Sequence, residues 1–554
     1  MSKLQPKLFT TLKGYNKEQF ISDVTAGIIV AIIALPLSIA LGISSGVTPE
    51  KGLFTAIIAG FVTSLLGGSR VLIGGPTGAF MVIVYGIVMQ YGIDGLILAT
   101  IMAGIMLILM GVFKLGTLIK FMPYPITTGF TSGIAVVIFS SQIKDFFGLN
   151  IKEVPSEFLE KWQVYFEHFN TLHLESLLIG ILALLIIIFW PRVNKKIPGS
   201  LIALIVTTIV VSFGHLDVPT IGSKFGTLSS SFPVPHFPEV TLERIQLLLK
   251  PAFTIAMLGA IESLLACVVS DGMIGGKHRS NMELIAQGTA NIASGLFGGI
   301  PATGAIARTA ANIKNGGRTP IAGMTHSVVL LLIVLIFMPL AQMIPLASLA
   351  AILIIVAYNM SEWREFVGLL SAPKSDVIVL LVTFFLTVAV DLVVAIQFGI
   401  ILAAFLFVKR MADVAEVNQL MYEAGEENDL TSEELMEQTK NITIYEINGP
   451  FFFGIADKFI NTLDEVQYST RFLIVRMRNV PAMDATAYHG LKRLEKLCKS
   501  HKITLLFSGV NEQPFKMMKT DGFIDRIGEE AFFDSIHDAK AYAELKLSQE
   551  KVRA

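Results

Sequence analysis

Two interruptions of apolar sequence carry matched chemistry. Residues 74–80 read GGPTGAF and residues 298–306 read GGIPATGAI, and each places a proline ahead of Thr-Gly-Ala. One short helix is expected to begin after Pro76, at about Thr77, and another after Pro301, at about Thr303. Each start would expose backbone N–H groups with no intrahelical partner. Each also carries about half a positive charge from its aligned peptide dipoles. Glycine lets a ligand approach the backbone closely. Thr77 and Thr303 can cap their helices or offer a hydroxyl to a ligand. Taken singly, each break reads first as a Pro/Gly kink. Matched and aimed at one cavity, the two starts form an anion site with Thr77, Thr303 and Gly304 at its edge.

Two ionisable residues fall deep in apolar sequence. Glu262 sits in the middle of AMLGAIESLLACVV. An ionised carboxylate at that depth costs roughly 3 kcal/mol on insertion scales. Burial favours its neutral form, so Glu262 could carry a proton along with a substrate. The alternative is a neutral carboxyl hydrogen-bonded within a helix contact. Arg308 follows the first turn of the second short helix. A guanidinium stays charged, so it could add positive potential for an anion or pair with Glu262. The helix is short enough for it to snorkel to the cytoplasmic face instead. Asp23, Asp376 and Asp391 lie at the ends of apolar segments and read as solvated anchors, and His326 reads as a packing or polar-contact residue.

The elements that must position these residues are membrane helices. Of 554 residues, 53% are hydrophobic and 16% charged, and the charge is concentrated after residue 410. That is too apolar for an ordinary soluble chain. A helix needs about 20 apolar residues to cross the hydrocarbon. Fourteen segments fit, near 24–43, 52–67, 77–91, 94–114, 126–143, 175–191, 198–214, 253–271, 283–297, 304–314, 319–339, 345–358, 375–390 and 392–409. Those at 77–91, 304–314 and 345–358 are too short to cross alone, which is tolerated where the backbone is buried in protein or lines a cavity.

Positive charge sets the orientation. The head carries Lys3, Lys7, Lys13 and Lys17 and is expected in the cytoplasm. Fourteen crossings put Lys114 and Lys120, Arg192, Lys195 and Lys196, Lys277 and Arg279, Lys314 and Arg318, Arg364 and Lys374, and Lys409 and Arg410 on the same side. The outer loops hold fewer, although Lys224, Arg244 and Lys250 fall in one long outer loop. An even count places both termini in the cytoplasm, in a multi-pass protein of the cytoplasmic membrane. No cleavable signal is expected, because the first apolar run follows a 22-residue polar head.

Seven segments precede the loop at 215–250 and seven follow it, so repeats at about 23–214 and 253–409 would be inverted copies. GFVTSLLGGS before the first break is similar to NIASGLFGG before the second. Inverted repeats with interrupted helices mark secondary transporters, with substrate bound near the midplane.

VAIIALPLSIALGISSG, GGPTGAF, AIESLLACVVSDGM and GLFGGIPATGAIARTAANIKNGGRTPIAG together resemble the sulfate permease (SulP) family of anion transporters, relatives of prestin and pendrin. The resemblance covers nearly the whole chain. It implies a seven-plus-seven inverted repeat divided into a core and a gate domain, an elevator movement, a homodimer and a C-terminal STAS domain. By position, it places the anion between Thr77, Gly78, Ala79 and Phe80 on one side and Ala305, Ile306, Ala307 and Arg308 on the other. It also marks Glu262 as the carboxylate of the eighth span. In the family's sodium-coupled bicarbonate branch that position is Asp, with threonines where this chain has Ala266 and Ile306. Sodium favours oxygen ligands as other hard cations do, so a proton is the expected co-ion.

The expected domains are a cytoplasmic segment 1–22, a transporter domain 23–410, an acidic linker 411–438 and a STAS domain 439–554. Thr431 and Glu434 have the spacing of a capping box in the linker. Strands at 441–447, 471–477 and 503–509 alternate with helices at 454–466, 485–501 and 512–522, and a last helix covers about 534–546. This alternation implies an α/β sandwich with a partly parallel sheet. STAS domains often carry Asp-Ser-Ser before the second helix, where the serine is phosphorylated in anti-sigma antagonists. Here Asp484-Ala485-Thr486 stands instead, and Thr486 is expected to cap the helix. The domain reads as a dimerisation and trafficking module ahead of a small-ligand sensor.

Cys267 and Cys498 fall in different domains, which argues against a disulfide or a cysteine metal site. A net charge of −1 and the lack of a basic run give no sign of a nucleic-acid partner. No nucleophile–base set, metal cluster or nucleotide fingerprint is evident, so neither an enzyme nor a cofactor is expected. The expected function is proton-coupled transport of a small anion, sulfate or bicarbonate first. The alternatives are a C4-dicarboxylate/proton symporter, an uncoupled anion channel and a membrane-tethered regulator. A uracil or xanthine permease would need a second carboxylate in the tenth span, where this chain has Arg308.

Overall fold

The computed structural model describes residues 4–117, 122–152, 154–155, 157–194, 197–228, 230–390, 392–414, 416–419, 441–452 and 470–553. Lys3, Lys120, Lys195, Lys196, Asp391, the Thr431–Glu434 capping box and the helix expected over 454–466 lie outside the described residues. The chain divides into two compact units, Met1–Ile401 and Leu402–Ala554.

The first unit opens with α1 (Leu8–Thr11) and α2 (Lys17–Ser44), whose start is capped by Asn16 accepting from Gln19 N. Pro49 opens α3 (Pro49–Leu66), where a missing N–H costs nothing. Strand β1 (Gly74–Gly75) then leads into α4 (Gly78–Val112). Gly92 breaks α4 with φ 70° and ψ −173°, so its two parts match the two segments expected at 77–91 and 94–114. There follow α5 (Tyr124–Phe147), α6 (Phe158–Glu167), α7 (Leu174–Val193), α8 (Gly199–Gly214), α9 (Ile221–Phe225), α10 (Leu242–Ile274) and α11 (Ser280–Leu296). Strand β2 (Thr303–Gly304) precedes α12 (Ile306–Lys314), α13 (Pro320–Ala341), α14 (Leu346–Met360), α15 (Trp363–Leu369), α16 (Lys374–Ala389) and α17 (Leu392–Val414).

Helices cover all fourteen apolar segments read from the sequence. Among the described residues, nine helices are long and apolar enough to cross a membrane. Three more, α8, α11 and α16, have 16 or 17 residues, and α12 has 9. Large apolar side chains such as Phe189, Phe213 and Phe337 stand exposed on the helices, as lipid-facing positions do.

Packing sorts the helices into two groups. In one, α4 lies against α10 and α11, α3 against α11 and α13, and α2 against α12 and α13. In the other, α5 lies against α14 and α16, and α7 against α8 and α14. Small residues let the first group pack closely. A β-carbon at Gly104 of α4 would lie 2.6 Å from the Gly288 carbonyl oxygen of α11.

The second unit holds a five-stranded sheet in the order β3-β4-β5-β6-β7. These are β3 (Glu416–Gln419), β4 (Ile442–Asn448), β5 (Phe472–Asn479), β6 (Thr504–Ser508) and β7 (Phe532–Phe533). Only β3 pairs antiparallel, and the other pairings are parallel. Alternate β5 residues face opposite sides, as the strand period requires. Leu473 and Val475 pack with α18 (Ala485–His501), α19 (Glu512–Thr520) and α20 (Phe523–Ile527). Phe472 and Ile474 pack with α21 (Ile536–Arg553).

Three expectations change here. The stretch read as linker from 411 begins with the end of α17 and edge strand β3. The last helix runs to Arg553 rather than about 546. The cap of α18 is Asp484, whose carboxylate accepts from Ala487 N, and Thr486 stands inside the first turn.

Candidate functional site

The two breaks pair with each other. β1 and β2 form an antiparallel two-stranded sheet in which Gly74 faces Gly304 and Gly75 faces Thr303. Ala305 N extends the contact by donating to Ile73 O at 2.9 Å. Backbone taken out of a helix inside a membrane must find other partners. Here each break supplies them to the other, and α4 and α12 leave from opposite ends of the one paired segment.

Buried polar side chains complete the accounting. Asn291 of α11 clasps the second break at both polar atoms of Ala302, donating to its oxygen at 2.8 Å and accepting from its nitrogen at 2.9 Å. Ser294 donates to Ile300 O at 2.7 Å, and Thr55 accepts from Ile300 N at 2.7 Å. On the first break, Thr309 accepts from Ile73 N at 3.0 Å and Asn312 donates to Val71 O at 2.9 Å. Glu283, fully buried, accepts from Gly68 N at 2.8 Å, Ser69 N at 3.1 Å and Gln287 Nε2 at 2.9 Å. The sequence reading missed all of these. Their signal was present: Glu283, Gln287 and Asn291 recur every four residues, a polar stripe along one face of α11.

The threonines behave differently from expectation. α4 starts at Gly78, with Thr77 at the cap position making no capping bond. The Thr77 hydroxyl donates instead to Glu262 Oε2 at 2.9 Å. Thr303 lies in β2, three residues before α12 starts at Ile306, and donates to Gly259 O at 3.1 Å. Both hydroxyls therefore tie a break to α10. Ala305 occupies the cap position of α12, again without a side-chain bond. Neither helix start is capped by a side chain; Phe80 N donates to Thr77 O at 3.3 Å, and the other first-turn N–H groups have no capping side chain.

Exposure defines an open edge to the site. Thr77, Glu262 and Ile306 are half-buried, and Ala307 is exposed. Gly78, Ala79, Phe80, Gly304 and Ala305 are buried, and the Phe80 ring lies against Gly259.

Arg308 is 3% exposed and does not snorkel. It donates to the Pro76 carbonyl across the paired breaks, and its Nη1 has no hydrogen-bond partner. It forms no ion pair with Glu262 among the described residues. Gly75, with φ 149°, leaves the room for the guanidinium that a β-carbon would take. The charge thus lies directly behind the first break, because a buried cation settles on the free carbonyl that a proline-broken helix offers.

Asp23 is also not a solvated anchor. It is fully buried and accepts from Tyr15 OH at 2.9 Å, Arg318 N at 2.7 Å, Thr319 N at 3.2 Å and Thr319 Oγ1 at 2.6 Å. Asp376 is half-buried in the first turn of α16, and Ser375 donates to it. His326 is fully buried and neither ring nitrogen has a hydrogen-bond partner, so it is a packing residue. Among the described residues no three His, Cys, Asp or Glu side chains come together as a metal site requires.

The Sulfate permease family model matches residues 20–383, which hold both breaks, Glu262 and Arg308. The chain belongs to the sulfate permease family. A STAS domain model matches residues 435–539. The putative sulfate transporter YvdB of Bacillus subtilis is 43% identical over 529 residues, covering 95% of this chain and 98% of that protein. The bicarbonate transporter BicA of Picosynechococcus is 31% identical over 509 residues, covering 87% of this chain and 88% of that protein. Among solved structures, SLC26A9 superposes with a TM-score of 0.86 at 16% identity, over 99% of this chain and 94% of that one, which shows a shared fold. The transmembrane domain of a cyanobacterial BicA superposes with a TM-score of 0.63 at 32% identity, over 69% of this chain and 98% of that one. This sulfate permease family chain is therefore a multi-pass membrane protein of an anion-transporter family, not an enzyme.

Proposed function

We propose that the protein is a secondary active transporter of a small oxyanion, sulfate or bicarbonate, coupled to protons through Glu262. The observation that carries the proposal is the β1–β2 pairing, which joins the two breaks that lead into α4 and α12, together with the bond from Thr77 to Glu262. The anion would lie against the first-turn N–H groups of Gly78, Ala79 and Ile306 to Arg308, beside the Phe80 ring, with the Arg308 charge behind it. The names of the relatives YvdB and BicA favour sulfate and bicarbonate.

The coupling has an electrostatic cause. An ionised carboxylate about 6 Å from a monovalent anion repels it by roughly 3 kcal/mol at an effective dielectric of 20. Protonating Glu262 removes that repulsion. Anion and proton then bind together and leave together.

Alternating access would come from an elevator movement of the group built on α2–α4 and α10–α13 against the group built on α5, α7, α8, α14 and α16. We further propose fourteen crossings as a seven-plus-seven inverted repeat, both termini in the cytoplasm, a homodimer, and a division into a head 1–22, a transporter domain 23–410 and a STAS domain 439–554 whose sheet takes its edge strand β3 from 411–438.

The test is uptake of labelled sulfate, bicarbonate and fumarate into proteoliposomes, with and without an inward pH gradient. Accumulation of sulfate or bicarbonate that rises with the gradient, and loses that rise in Glu262→Gln, supports the reading. Fumarate-only accumulation would replace the substrate, and uncoupled current would replace the transporter by a channel. Accumulation that responds to pH unchanged in the variant would remove Glu262 from the coupling.

A further inference from the structure

A cavity of about 860 Å³ opens among α4, α5, α6, α10 and α16. Ala79, Val82, Ile83, Gly86, Ile87 and Gln90 line it from one face of α4, and Met89 and Tyr91 join them at the far end. At 1.5 Å per residue that face runs about 16 Å from the helix start to the far end. The charged residues at the wall are Lys161, Lys250 and Glu157, all on segments expected outside the cell.

Lys161 is unlike the others. Lys250 and Glu157 are exposed, whereas Lys161 is 6% exposed. Among the described residues it makes no ion pair and no side-chain hydrogen bond, with Glu157 or any other group. Burial pushes its ammonium below the usual lysine range, and no carboxylate offsets that push. A buried cation without a partner is costly. Lys161 lines the cavity, and an anion there would supply the missing charge.

We propose that this cavity is an outer vestibule in which Lys161 holds an oxyanion before it passes along α4 to the helix starts at Gly78 and Ile306. The inference rests on the anion-transport reading, which it deepens by adding a second, peripheral binding station. The vestibule is far larger than one oxyanion, since a water takes about 30 Å³, so the ion enters hydrated. Lys250 adds a second positive charge at the wall. The station raises the local anion concentration, as charged clefts do.

The test uses full-length protein with two readouts. The first is the external half-saturation for labelled sulfate and bicarbonate uptake in proteoliposomes. The second is a sulfate titration of Trp162 fluorescence, with sodium gluconate as control. Trp162 adjoins Lys161 and packs with Tyr165 at 6.0 Å. Trp190→Phe and Trp363→Phe leave it as the sole reporter of the three tryptophans.

Lys161→Met is expected to raise the external half-saturation and the titration midpoint about tenfold, with little change in maximal rate. Lys161→Arg, which keeps the charge, is expected to stay within about threefold of the parent. Equal loss in both variants would make Lys161 a packing residue and overturn the proposal. Active uptake with neither readout moved in Lys161→Met would also overturn it, and would leave the transport reading intact. A saturable Trp162 titration that shifts in Lys161→Met, in protein that moves no anion, would sustain the station and sink the transport reading.

Discussion

The Thr77 hydroxyl donates to Glu262 Oε2 at 2.9 Å, joining the start of α4 to the carboxylate of α10. This bond gives the proposed anion site and the proposed proton site one shared residue. Thr77→Val removes the donor and keeps the shape. It is expected to lower uptake about fivefold, the worth of a hydrogen bond of roughly 1 kcal/mol. It should also shift the pH at which uptake is half-maximal, whereas Glu262→Gln should abolish the pH response. A Thr77→Val pH profile that overlays the parent would separate the two sites.

Asn291 holds both backbone polar atoms of Ala302. Asn291→Ala leaves a buried N–H and a buried C=O without partners, at a cost of roughly 2–4 kcal/mol. The apparent melting temperature in detergent is expected to fall by several degrees, and anion uptake to fall with it. Lys13→Ala, at an exposed position, serves as the control and should melt with the parent.

Tyr15 sits just before α2 and donates to Asp23. Burial, and then the hydrogen bond and charge of Asp23, push its phenol up to about 12. An unfolded tyrosine titrates near 10. Between those values the folded chain binds more protons than the unfolded one, so stability falls as pH rises. The contribution is complete below pH 10 and lost on passing about 12. Tyr15→Phe should flatten the decline in melting temperature over that window. A parent and variant that decline in parallel would show that Tyr15 contributes nothing to it.

Cys498 is buried at 1% exposure in the core of the second unit, and burial pushes its thiol up to about 12. A thiol kept protonated and covered reacts slowly. Maleimide at pH 7 is expected to leave Cys498 unmodified in the native protein and to label it as denaturant unfolds the sheet. Mass spectrometry of the peptide that contains it checks this. Rapid labelling without denaturant would mean that α18 leaves the sheet readily.

Much of the architecture was legible in the chain because its signals are local. Apolar runs, the Pro-Thr-Gly-Ala breaks and the strand–helix alternation each depend on residues a few positions apart. Glu262 stood out for the same reason, as one carboxylate in an apolar run. Asp23 misled because position along a segment indicates depth and says nothing of neighbours. Its partners Arg318 and Thr319 lie 295 and 296 residues away. The Glu283, Gln287 and Asn291 stripe was visible as a pattern, but its purpose depends on the breaks it clasps.

By itself, then, the sequence determined a membrane chain with two matched proline–glycine breaks, a carboxylate at depth and a separate α/β domain. Tertiary structure decided that Gly74 pairs with Gly304, that Thr77 serves Glu262 rather than its own helix, and that Arg308 rests on Pro76. The physical reason is the range of the interaction. A proline or glycine frees backbone groups wherever it stands. Which buried group then satisfies them is settled only when segments 232 residues apart, as Pro76 and Arg308 are, fold against each other.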